Sequence, residues 1–141
     1  MSNSMVFRYD VDGDDFTLAG EISSKVKKRL KQLGLPPETI RKVAIAMYEA
    51  EINMVIHANG GTITVEVSPE TIHIIFADRG PGIPDIDKAM EEGFSTASHE
   101  VRELGFGAGM GLPNIKKNSD KMTIDTKVGE GTTIELWMEV C

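Results

Sequence analysis

The segment from Pro37 to about Ala58 constrains this chain more than any other. It reads as one helix, opened by Pro37 at the favoured first helical position. It is apolar on most sides, through Ile40, Val43, Ala44, Ile45, Met47, Ile52, Val55 and Ile56. A helix with that distribution is mostly buried, so other elements must cover it. Asn59-Gly60-Gly61 ends it.

The flanking sequence supplies those elements. Met5 to Val11 alternates loosely (Val6, Phe7, Tyr9, Val11) and reads as a short strand, followed by a turn at Asp12-Gly13-Asp14-Asp15. Phe16, Leu18, Ala19, Ile22, Val26 and Leu30 recur near helical spacing. They predict a helix from about Asp15 to Leu33, stopped by Gly34 and Pro36. Its lysine-rich end is a solvated face or a partner-binding one. Thr62–Val67 and Thr71–Ala77 are strands joined at Ser68-Pro69-Glu70. A loop begins at Asp78, and a short helix is expected from about Asp85 to Glu92. The stretch from Gly93 to Gly111 is too polar and glycine-rich for a core element. A helix from about Leu112 to Asn118 leads into strands Lys121–Lys127 and Thr132–Val140. The order β-α-α-β-β-α-α-β-β predicts an α+β fold, a two-layer α/β sandwich with a mainly antiparallel sheet and helices on one face.

With 141 residues the chain has room for one domain, taken as 1–141. Fifteen Lys and Arg against 22 Asp and Glu give a net charge of −7, which argues against a general nucleic-acid binder. A small basic pocket for a nucleotide remains compatible with that balance. The one cysteine, Cys141, excludes an internal disulfide. No apolar run approaches the ~20 residues a bilayer requires, and Met1 to Met5 does not start a signal peptide. No membrane partner and a cytoplasmic location are expected.

Four constellations could carry chemistry. Glu49 and Asn53 are four residues apart on the apolar helix and share a face. They form a buried polar network or helix rim, or else a general base (Glu49) beside a metal ligand (the amide oxygen of Asn53). Asp78-Arg79-Gly80-Pro81-Gly82-Ile83 follows a core strand. It is a turn, or an acid placed for a ligand amine with glycines that let a planar ring approach. Gly105, Gly107, Gly109 and Gly111 alternate before a helix that opens at Leu112. They form a lid hinge, an anion nest for phosphate, or both. Gly129-Glu130-Gly131-Thr132 is a hairpin turn.

Together, Glu49-Ala50-Glu51-Ile52-Asn53, Asp78-x-Gly80-x-Gly82, Gly105 to Leu112 and Gly131-Thr132 resemble the ordered boxes of the GHKL (histidine-kinase-like) ATPase superfamily, over roughly residues 35 to 140. Glu91 to Thr96 and Gly109 to Pro113 are similar to its anti-sigma-factor serine/threonine kinase and switch-kinase subgroup. The resemblance implies a Bergerat-type fold, with a mixed, mainly antiparallel sheet under a helical layer, and an ATP site. In that site Asn53 holds Mg²⁺, Asp78 takes the adenine amino group, and Gly80 and Gly82 shape the adenine pocket. The Gly105–Gly111 loop covers the phosphates, Thr132 supports the adenine through Asp78 or a water, and Glu49 is the catalytic base. Ala97 to Leu104 departs from the shorter switch kinases by lengthening the lid, where Arg102 reaches a phosphate or is simply exposed.

The leading expectation is therefore an ATP-dependent kinase that phosphorylates a hydroxyl on a STAS-type (anti-anti-sigma) partner. The alternative is an ATP-gated module that sequesters a sigma factor or scaffold without useful kinase activity. A sigma factor is thus a second partner class, and oligomeric state is open, a homodimer included. A detached histidine-kinase domain is disfavoured. His57, His73 and His99 all lie in the nucleotide-binding region, and residues 1–35 contain no histidine. Leu136 and Trp137 are strand neighbours facing opposite sides, so one of them is available to a partner.

Overall fold

The computed structural model describes residues 5–12, 20–57, 60–78, 111–127 and 129–140. Five strands and three helices fall within them. They are β1 (Met5–Asp12), α1 (Glu21–Gln32), α2 (Pro37–His57), β2 (Gly60–Val67), β3 (Thr71–Asp78), α3 (Gly111–Lys117), β4 (Lys121–Lys127) and β5 (Gly131–Glu139). The first helix, expected from about Asp15, begins instead at Glu21, because Gly20 takes a left-handed φ of 91° that breaks the helical backbone. The rest of the turn expected after Asp12, the 85–92 helix and the glycine-rich stretch up to residue 110 lie outside the described residues.

The strands form one sheet in the order β1-β2-β3-β5-β4, and every neighbouring pair is antiparallel, so among the described residues the sheet is not mixed. β5 is inserted between β3 and β4, so consecutive strands are not always spatial neighbours. Alternation decides which side is covered. Ile63, Val65 and Val67 of β2, Ile72, Ile74 and Phe76 of β3, and Ile134, Leu136 and Met138 of β5 are buried. They meet Val43, Ala46, Met47, Ala50 and Met54 of α2 and Ile115 of α3 in one core. Alternate sheet residues are half-buried or exposed, as a sheet covered on one face requires. The edge strand β4 carries Lys121, Asp125 and Lys127 on its outward side, charges that oppose edge-to-edge pairing.

The helical hairpin is set by its connection. Gly34 has φ 78°, its N–H bonds the Lys31 carbonyl at 3.1 Å, and the Leu35 N–H bonds the Leu30 carbonyl at 3.3 Å. This double bond pattern closes α1 and needs the left-handed residue that glycine supplies. Leu35 then packs on the core that holds Leu30. Pro37 opens α2 two residues later, so α1 and α2 run back along each other. Among the described residues, no helix is long and apolar enough to cross a membrane.

Candidate functional site

The ends of β2, β3, β4 and β5 make one floor. Gly61 lies opposite Asp78 across β2 and β3, and Thr132 lies opposite Thr126 across β5 and β4. Asp78 ends β3 with the parity of the buried Ile72, Ile74 and Phe76, and Thr132 begins β5 with the parity of Ile134 and Leu136. Their side chains therefore face the helical layer. The Thr132 N–H donates to Asp78 Oδ1 at 3.0 Å. The Thr132 and Thr126 hydroxyls are 2.8 Å apart and hydrogen-bonded. A carboxylate is thus fixed by a backbone donor at the end of a central strand, with a pair of hydroxyls beside it.

Gly61 shows how tightly this floor is built. A Cβ at this position would lie 2.1 Å from the Ala77 carbonyl oxygen, 2.7 Å from Asp78 Cα and 2.8 Å from Met54 Cε. The missing side chain lets α2 settle, at Met54, directly over the end of β3 that bears Asp78. Asn53 adjoins Met54 on α2 and is half-buried.

The motif Glu49-Ala50-Glu51-Ile52-Asn53 divides between two tasks, because residues two apart on a helix do not face the same way. Glu51 is 1% exposed and turns toward α1. Its Oε1 accepts the Ser23 N–H at 2.9 Å and its Oε2 the Ile22 N–H at 3.2 Å. Gly20, the residue before α1, has no side chain with which to cap the helix. Glu51 does so from the neighbouring helix, putting a carboxylate where the dipole and the free N–H groups favour an anion. Glu49 is half-buried and faces α3, where Asn114 Nδ2 donates to its Oε1 at 3.5 Å. That contact is long, and Glu49 keeps acceptor positions for other donors.

Of the residues singled out from sequence, Glu49 and Asn53 lie on one strip of α2, and Asp78 and Thr132 are joined directly. Gly111 and Leu112 open α3. Gly80, Gly82, Gly105, Gly107 and Gly109 lie outside the described residues. Gly61, Thr126, Glu51 and Asn114 were missed as candidates. Gly61 and Thr126 follow from strand register, which a sequence does not print. Glu51 stood inside a quoted motif, and the signal was its two-residue offset from Glu49.

Among the described residues, no cluster of three His, Cys, Asp or Glu side chains could hold a metal. His73 instead bonds Glu135 at 3.0 Å and stacks on Trp137, with centroids 4.6 Å apart and planes 9° from parallel. Leu136 is fully buried and Trp137 is on the uncovered face of the sheet, half-buried in that stack.

The chain matches the histidine kinase-like ATPase domain over residues 15–138. It is 36% identical over 109 residues to the serine/threonine-protein kinase RsbT of Bacillus subtilis, spanning 74% of this chain and 76% of that protein. It is 34% identical over 110 residues to the anti-sigma F factor of a Thermoanaerobacter species, spanning 74% and 73%. In fold it resembles the RsbU and RsbW domains of a Mycobacterium tuberculosis protein, with a TM-score of 0.65 at 16% identity, over 95% of this chain and 31% of that one. It also resembles the SiaB–SiaC complex from Pseudomonas aeruginosa, with a TM-score of 0.59 at 13% identity, over 94% of this chain and 88% of that one. The family match spans α1, α2, α3 and the strands β2 to β5, and the chain belongs to the histidine kinase-like ATPase domain family.

Proposed function

We propose that this protein is an ATP-dependent serine/threonine kinase of a partner switch, and that its substrate is a hydroxyl on a STAS-type anti-anti-sigma protein. The observation that carries this reading is the Asp78 carboxylate, oriented by the Thr132 N–H at 3.0 Å at a strand end against which Gly61 lets Met54 of α2 pack closely. The similarity to RsbT supports the reaction type.

The residues present fit a purine nucleotide and a hard cation. Asp78 is an acceptor-only group suited to the exocyclic amine of adenine, and carboxylate geometry accommodates more than one donor. The Asn53 amide oxygen suits Mg²⁺, which takes one or two protein oxygens and completes its shell with phosphates and water. Thr132 holds Asp78 in place; by the family resemblance Gly80 and Gly82 would border the base, and Gly105, Gly107, Gly109, Gly111 and Leu112 would cover the phosphates. Bound Mg·ATP supplies the phosphoryl group and the charge neutralisation.

Glu49 orients the partner's hydroxyl and takes its proton, and the Asn114 amide limits which way its carboxylate turns. Positioning contributes most of the acceleration in this chemistry. The product carries about two added negative charges at pH 7, enough to repel a partner from a binding face. We place this protein in the cytoplasm.

The test is incubation with γ-labelled ATP and a STAS-type protein encoded nearby. Wild type transfers label to a serine or threonine, and Glu49→Gln binds nucleotide without transferring. Full-rate transfer by Glu49→Gln removes the assigned base, and absence of any heat with Mg·ATP removes the site. The similarity to an anti-sigma F factor favours a second reading, an ATP-gated sequestering module for a sigma factor. It is the better one if nucleotide strengthens sigma-factor binding and no label moves.

A further inference from the structure

Between the end of α1 and the start of α2 lies a groove of about 540 Å³. Lys27, Lys31 and Arg41 rim it, and Leu35, Ile40 and Ile45 contribute apolar surface. No described residue lining it is acidic, in a chain whose net charge is −7. Of the other cations of α1, Lys28 does not line the groove, and the remaining two are engaged elsewhere. Lys25 pairs with Glu21 at 3.6 Å, and Arg29 lies 4.7 Å over the Phe7 ring. Among the described residues, Lys27, Lys31 and Arg41 have no ion-pair partner. Concentrating uncompensated positive charge on an apolar groove of an acidic protein costs self-repulsion, which an anionic occupant removes.

The groove also has a direction. Arg41, Ile45, Glu49 and Asn53 recur every four residues and so form one strip of α2. Arg41 precedes Glu49 by about 12 Å of helix axis. A chain segment seated on Arg41 and Ile45 therefore leads along α2 to the carboxylate assigned to the acceptor hydroxyl.

We propose that this groove docks an acidic, amphipathic segment of the protein that delivers the hydroxyl. Its apolar side chains sit against Leu35, Ile40 and Ile45, and its carboxylates meet Lys27, Lys31 and Arg41. The identity of the occupant as phosphoacceptor rests on the kinase reading; its charge and amphipathic character rest on the groove. Charge complementarity at the rim sets the association rate and excludes basic competitors, while the apolar contacts hold the segment.

The test uses two fluorescein-labelled 14-residue helical peptides of Leu, Ala and Glu, one with every Glu replaced by Lys. Fluorescence anisotropy on the full chain should show saturable binding of the acidic peptide and at least tenfold weaker binding of the basic one. The Lys27→Glu/Lys31→Glu/Arg41→Glu variant should lose at least tenfold for the acidic peptide. Lys31→Glu alone should lose about threefold, which keeps the test decisive if the triple variant does not fold. Amide shifts should centre on Ile40, Ala44 and Ile45. Equal affinity for both peptides, undiminished affinity in the variants, or shifts confined to the uncovered sheet face overturns the proposal.

Calorimetry with Mg·ATP on the same proteins separates the two readings. Nucleotide heat without peptide binding defeats the groove alone. Peptide binding without nucleotide heat defeats the kinase reading, and with it the occupant's role as phosphoacceptor.

Discussion

The Thr132 backbone N–H lies 3.0 Å from Asp78 Oδ1, so the first residues of β5 decide how the carboxylate at the end of β3 is turned. Asp78→Asn keeps the size of the side chain and a carbonyl acceptor for Thr132, while it loses the charge and adds donors. The expected result is at least a tenfold loss of Mg·ATP affinity by calorimetry with a thermal midpoint within a few degrees of wild type.

Glu49→Gln separates binding from chemistry. A base at this position contributes about 10²–10⁴ in rate, so label transfer should fall by that factor while nucleotide affinity changes less than threefold. Rapid-quench measurement with saturating ATP reads the two effects apart.

On the proposed reading, Asn53→Asp would put a second negative charge beside the bound triphosphate. Affinity for Mg·ATP should fall about tenfold and recover in part as magnesium is raised, because the carboxylate still ligates the ion. A titration at two magnesium concentrations checks both parts.

Glu51 is assigned no contact with nucleotide, and its loss should appear in stability. Glu51→Ala removes the acceptor for two buried N–H groups at the start of α1. The expected cost is about 3 kcal/mol, or roughly 10 °C in the midpoint for a domain of this size. Glu51→Gln should recover part of it, since the amide oxygen still accepts one bond. Calorimetric unfolding of the three proteins gives the order.

Gly61→Ala is a steric test of the floor. Its new methyl would collide with the Ala77 carbonyl and the Asp78 backbone, neither of which can rotate away. The expected outcome is a loss above about 3 kcal/mol, or a folded protein that no longer binds nucleotide. Wild-type behaviour in both assays overturns the close packing described for this glycine.

How much of this was legible in the sequence follows the range of each interaction. The α2 helix was readable from Pro37 onward because its apolar character is local, and it ends within one residue of the expected position. β1 and β2 were readable from alternation and β3 from its apolar run, and the strand ends differ from expectation by at most two residues. The insertion of β5 between β3 and β4 was not legible, since strand order is a tertiary outcome. For the same reason Thr126 was invisible: it acquires its meaning only when Lys121–Lys127 pairs with β5. Glu49 was separable from Glu51 in the sequence by its four-residue spacing to Asn53, but the task of Glu51 was not. What distinguishes them is that one faces α3 and the other the start of α1, a difference of angle around a helix whose neighbours had not been placed.

The insertion of β5 also sets a timetable for synthesis. β1, β2 and β3 can pair as each leaves the ribosome, but β3 then presents a bare margin until a strand made some sixty residues later arrives to occupy it. Long-separated pairings of this kind are slow and leave the unfinished chain open to wrong partners. Because the strand that closes the margin also carries Thr132, a nascent chain halted before it can hold neither a finished sheet nor a properly aimed Asp78. Nucleotide capture should therefore begin only after β5 has emerged.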